Sequence, residues 1–323
     1  MRPTILALSL LLTLTACSQG QGDAQTDSLA RTKEISVGKG PDALFVTPDE
    51  DFLYVANVED THVSVIDTRK DSVVYNIDTV DYPWGFVHLG NSNFVAVSGW
   101  DKGIDIINFT SHKITQTKRY AHNLGGITAT RDGKWIFVVA TEDNKVLKIA
   151  TSNLEIVDEY KTGTGPDGIG ISKDNRKIYV TNTKDGTISV INVETKFGKT
   201  IFTGGKPELV HPNKDHSLLY ISNFFEGKVH VVDTETDQII HELTGLDGPE
   251  EAVLSRSGEK LYVVNFNSSL VSTFDARSYK RLDEKYAVGA KPIGLVPAVN
   301  DSKLYVTNYG DNTVSVITLK APQ

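Results

Sequence analysis

The 323-residue chain contains a single Cys and a single Met, the initiator. One Cys cannot form an intramolecular disulfide, and a four-thiolate zinc site is excluded. Basic side chains are in the minority: 33 Lys and Arg stand against 41 Asp and Glu, a formal net charge of −8. Nucleic acid and anionic membrane surfaces both attract a basic face, so this balance argues against a generic binder of either. Long apolar runs are also missing. The longest, Ile5 to Leu14, is shorter than the ~20 residues that a bilayer-spanning helix needs.

That short run lies where a secretory signal has its hydrophobic region, one charge (Arg2) after the start. It ends in Leu14-Thr15-Ala16-Cys17, which resembles a bacterial lipobox. The resemblance implies cleavage after residue 16 and acylation of Cys17. Cleavage removes Arg2, so the mature balance is 32 − 41 = −9. Ser18, where Asp would favour inner-membrane retention, points to the outer membrane. The Gln-, Gly-, Asp- and Ser-rich stretch that follows Cys17, up to Lys33, reads as a flexible tether. The expected organisation is signal peptide 1–16, lipidated Cys and tether 17–33, and one folded domain 34–319.

Within that domain one segment recurs. Leu53-Tyr-Val-Ala-Asn57 returns as Ile178-Tyr-Val-Thr-Asn182, Leu219-Tyr-Ile-Ser-Asn223, Leu261-Tyr-Val-Val-Asn265 and Leu304-Tyr-Val-Thr-Asn308. Phe94 to Ser98 and Ile136 to Ala140 are degenerate copies. The last positions are spaced 41, 42, 42, 41, 42 and 43 residues apart. Each unit holds four strand-like runs separated by turn residues. Four-stranded units of about 40–45 residues, stacked radially, form a β-propeller. The seventh unit supplies only three strands, and Glu34-Ile-Ser-Val-Gly38 supplies the missing one from the other end of the domain. The expected fold is therefore all-β: a seven-bladed β-propeller of four-stranded blades, its ring closed by the N-terminal strand. Closure removes exposed sheet edges.

The Tyr-Val-Thr-Asn signature resembles the YVTN-repeat seven-bladed propellers of cell-surface and periplasmic proteins, over residues 34–319. Propellers of this kind include electron-transfer subunits, haem-binding domains, lactonases and ligand-capture lipoproteins, so the resemblance speaks to fold more than to activity.

In such a ring, the loops between second and third strands and the loops between blades share one face, here the upper face. The interblade loops place Asp42, Asp167, Glu208 and Glu250 at the mouth of the central channel. They read either as an acidic rim for a cationic group or as turn-ordering carboxylates bonded to their own backbone. Trp84, Trp100, Asp101, His122, Phe224, Phe225, Phe266 and Tyr309 fall on the same face. Apolar rings with polar neighbours on a loop surface suit ligand binding; the competing reading is a lid over the blade tops. The other His residues scatter along the chain, so no multi-His metal or haem site is expected, and no cofactor. Gly163-x-Gly165-x-x-Gly168 precedes a strand, not a helix, so it is no dinucleotide fingerprint.

The reading that follows is an outer-membrane-anchored binding lipoprotein. Its expected partners are the lipid bilayer, through acylated Cys17, a small extracellular ligand or a partner protein, and an outer-membrane transporter. Similarity to propeller lipoproteins that capture corrinoids or siderophores implies a TonB-dependent one. The alternative is a metal-assisted lactonase using the four carboxylates with His122.

Overall fold

A computed structural model describes residues 32–79 and 82–319. Seven antiparallel four-stranded sheets form the blades of a closed ring. The innermost strands, in blade order, are Pro41–Val46, Pro83–His88, Leu124–Ala129, Pro166–Ile171, Pro207–Pro212, Pro249–Leu254 and Pro292–Ala298. Each runs from the upper face to the lower. The N-terminal strand Thr32–Ser36 pairs with Thr313–Thr318 and completes blade seven, as the spacing of the units requires. It begins two residues earlier than expected: Thr32 and Lys33, assigned to the tether, already sit opposite Ile317 and Val316. Glu34 fastens this strand, accepting hydrogen bonds from Asn308 Nδ2 (2.9 Å), Thr313 Oγ1 (2.8 Å) and Ser315 Oγ (2.7 Å). Among the described residues no helix is long and apolar enough to cross a membrane.

The core is not central. It is divided into seven apolar clusters, one in each seam between neighbouring blades. The period-2 alternation of a strand explains the division. Leu53 and Val55 face the seam with blade seven, while Tyr54 between them faces the seam with blade two. Both faces of each sheet are thus covered, which is why the second strands read as near-continuous Tyr, Val and Ile.

Polar bonds across the seams give the repeated motif its letters. The Thr of Tyr-Val-Thr-Asn is fully buried in blades four and seven. Thr181 Oγ1 accepts from Gly168 N–H of its own blade (2.8 Å) and donates to the carbonyl of Glu208 in the next (2.6 Å). Thr307 does the same with Gly294 (2.7 Å) and Asp42 (2.8 Å). Ser98 repeats it in blade two with Gly85 (3.1 Å) and Gly125 (2.7 Å). The glycine is obligatory here, since a Cβ on Gly168 or Gly294 would stand 2.4 or 2.2 Å from that same neighbouring carbonyl.

The Tyr works lower in the seam. Tyr305 OH donates to Asp71 (2.7 Å), which also holds Lys303 (2.8 Å). Tyr179 bonds Asp237 and donates to Thr234 O (3.0 Å). The Asn of the motif bonds the third strand beside it: Asn182 Nδ2 reaches Thr187 Oγ1 and Ser189 Oγ, both at 2.9 Å.

Thr181→Val keeps the side-chain shape but strands a buried N–H and a carbonyl, which costs about 1–3 kcal/mol. The buried Ser222 Oγ, at the equivalent position of blade five, has no hydrogen-bond partner. Ser222→Ala is therefore expected to change stability by less than about 0.5 kcal/mol. Urea denaturation of the two variants checks the contrast.

Candidate functional site

The channel mouth on the upper face is built from the first residues of the innermost strands. The backbone carbonyls of Asp42 and Glu208 accept the Thr latches, and the side chains of Asp42 and Asp167 line the channel. Burial and neighbouring carboxyls dominate the surroundings of Asp42, Glu208 and Glu250. Burial, reinforced by the charges of Asp167 and Glu251, pushes Asp42 up to about 8. Burial likewise raises Glu250, with Glu208 and Asp42 adding repulsion. Burial raises Asp167 and Glu208 as well, and the two carboxyls interact with each other. The rim counted as four negative charges in the sequence is therefore a set of carboxyls whose protonated forms burial favours, set against the ion pair that Glu208 makes with Lys206.

One cation sits among them. Lys206 is ion-paired to Glu208, and its ammonium lies 5.5 Å from the ring centre of Phe224. Burial alone would lower its pKa; the pairing with Glu208, helped by Glu250 and Asp167, outweighs this and raises it. Phe224 in turn packs edge-on against Phe225 (5.6 Å) and Phe266 (5.7 Å). Phe225 is 73 % exposed. Trp84 and Trp100 form a second aromatic pair, 5.2 Å between centres.

The remaining upper-face residues are engaged nearby rather than at the mouth. His122 Nδ1 pairs with Asp143 (2.7 Å), Asp101 lies 3.6 Å from Arg119, and Tyr309 bonds Glu59. The carboxylate-plus-His122 set of the lactonase reading is thus not brought to one point. Among the described residues no group of three His, Cys, Asp or Glu side chains is arranged to hold a metal ion. Cys17 lies outside the described residues.

The channel is a cavity of about 740 Å³. Trp84, Asp42 and Asp167 line it at the top and His88, His211 and His216 toward the bottom. These three imidazoles are far apart in the chain; their positions in the repeat put them toward the lower face, and sequence alone did not join them in one lining. His88 ends an innermost strand, His211 is next to last in another, and His216 lies in the turn after it.

A family model described as a YNCE-like β-propeller matches residues 113–211. The match spans under a third of the chain, and with the seven-bladed ring it supports the fold. The chain fits the YVTN-type seven-bladed propellers. No curated protein matches the sequence. Among solved structures, a chain of Kuenenia stuttgartiensis hydrazine synthase superposes with a TM-score of 0.76 at 17 % identity, covering 94 % of this chain and 100 % of that one. The Myceliophteria thermophila Cps50 (Swd1) β-propeller domain superposes with a TM-score of 0.76 at 10 % identity, covering 90 % and 100 %. Identities this low show a shared fold. The function of this YVTN-type propeller has to be argued from its own site.

Asp42 gives the site a stability signature. A carboxyl whose pKa is raised on folding keeps its proton when the unfolded chain has lost it. Stability therefore falls as pH rises from about 4 to about 8 and is level above that. Asp42→Asn is expected to stabilise by about 1–3 kcal/mol at pH 8 and by little near pH 4. Chemical denaturation across that pH range measures the difference.

Proposed function

We propose that this propeller is a binding protein of the cell envelope, anchored at the outer membrane through acylated Cys17, and that its ligand is held at the upper mouth of the channel. The observation that carries the reading is the position of Trp84. It both lines the cavity and packs against Trp100 on the rim, so aromatic surface and concave space are continuous. Across the mouth stand Lys206 and the Phe224, Phe225 and Phe266 cluster.

This combination suits a ligand with a broad apolar face and a polar edge. The rings offer flat contact area at small entropic cost, while Lys206 offers a charged hydrogen-bond donor. A corrinoid- or siderophore-like molecule has those properties, and a TonB-dependent transporter would be the partner that takes it over. A flexible tether after Cys17 would let the ring swing between capture and delivery.

A thermal-shift screen of corrinoids, haem, siderophores and divalent metals tests the reading, since a ligand bound to the native state alone raises the melting temperature. For a ligand so found, replacing Trp84, Trp100 and Phe225 by Ala is expected to weaken binding about tenfold or more, with the single variant Phe225→Ala leaving stability untouched because its ring is exposed. Undiminished binding by the triple variant would overturn the placement. Cys17→Ser is expected to move the protein from the membrane fraction to the soluble fraction; retention in the membrane would refute the anchor.

A further inference from the structure

The other end of the channel has the opposite character. Where the innermost strands finish and turn outward, Arg131, Lys214, His88, His211 and His216 line the same cavity. In a chain whose acidic side chains outnumber the basic ones by eight, this is a local reversal of charge. Arg131 and Lys214 are exposed and take part in none of the ion pairs among the described residues. The nearby carboxylates are already engaged. Asp215 takes Lys173 (2.8 Å) and Ser217 Oγ (2.6 Å). Glu251 accepts Leu295 N–H (2.6 Å) and lies 3.5 Å from His211 Nδ1. Above this basic mouth the channel wall is apolar, from Leu44, Val87, Ile127 and Val210.

We propose that the lower half of the channel binds a small organic carboxylate, its anionic group held by Arg131, Lys214 and the imidazoles and its apolar body lying against the inner strands. Charged donors on an anion make the strongest hydrogen bonds available to side chains, and the wall supplies apolar area to bury. This site is separate from the upper mouth and does not depend on the reading given to it.

The imidazoles make the binding proton-linked. His216 Nδ1 bonds Ile171 O at 3.2 Å, and His88 Nε2 bonds Ser92 O at 2.8 Å. A carbonyl only accepts, so these nitrogens carry the single proton of each neutral ring. The remaining nitrogen is then an acceptor and repels an anion until the ring takes a second proton. Burial, with Arg131 and His211 nearby, holds His216 below the usual imidazole range. The charged and titratable groups that face it are Arg131, Lys214, His88, His211 and Asp215, with Glu251 beside His211 and Asp42 and Asp167 further up the channel. A bound carboxylate favours the doubly protonated ring, so binding takes up a proton and strengthens as pH falls.

Calorimetric titration of the full chain with 2-naphthoate and with acetate, near pH 6 and near pH 8, tests this. Both probes stay ionised over that range. 2-Naphthoate is expected to bind about tenfold more tightly than acetate, and about tenfold more tightly near pH 6 than near pH 8. The double variant Arg131→Gln, Lys214→Gln changes only exposed side chains and is expected to weaken binding at least about tenfold. His216→Gln is expected to flatten the pH dependence while binding near pH 8 persists. Phe225→Ala, at the opposite face, is expected to change none of these values. Failure of 2-naphthoate to saturate the protein, equal affinity for acetate, full affinity in the double variant, or loss in Phe225→Ala would overturn the proposal.

Discussion

A ring of sheets holds only if every seam between neighbours holds, and here each seam carries both an apolar cluster and, in several blades, a polar latch. The hydroxyl of Thr181 or Thr307 accepts from a glycine N–H on one side and donates to a carbonyl on the other. One side chain thereby satisfies two main-chain groups at the crowded inner edge, where water is not available to do so. At Gly168 and Gly294 the approach that makes the bond leaves no room for a Cβ. Blades two, four and seven have both. In blade five a Leu replaces the glycine, at position 209, and Ser222 loses its partner.

The latch also decides what the channel can carry. Because the main chain of the first-strand positions does the structural work, their side chains are free to differ. On the upper mouth they are Asp42, Asp167, Glu208 and Glu250, whose protonated forms burial favours, with Lys206 ion-paired to Glu208 among them. Toward the lower mouth stand His88 and His211 of the innermost strands, joined by Arg131 and Lys214 from the turns. One channel therefore has a carboxyl-lined end beside aromatic rings and a basic end beside an apolar wall. Two chemically distinct ends on one axis suit a protein whose fold is generic and whose function lies in its loops and lining.

The architecture was legible because the signals for it are local and repeated. A 41–43-residue period, period-2 strands and the incomplete seventh unit pointed to a closed ring of seven; the first strand starts at Thr32 in place of residue 34, and in blade two Gly99, not Ser98, stands at the Asn position of the motif. The meeting of Trp84 with Trp100 followed from the blade map, since both stand at upper-face positions of blade two. The sequence did not reveal which atoms of Asp42 and Glu208 matter to the fold, because a conserved-looking side chain and a needed carbonyl occupy the same letter. It put His88, His211 and His216 toward the lower face without joining them in one lining, and it did not show how burial acts on the rim carboxyls. Both arise on the axis, where strands about 40 residues apart in sequence converge and bury each other's charges.

In blades two, four and seven the latch is part of what holds the ring and opens only with it. Native-state hydrogen exchange at the amides of Gly168 and Gly294 addresses it most directly, since each donates to a latch hydroxyl. The account predicts that these amides exchange only through global unfolding, with the same free energy and denaturant dependence as the buried second strands. Exchange through local opening, at a markedly lower free energy than those strands, would contradict it.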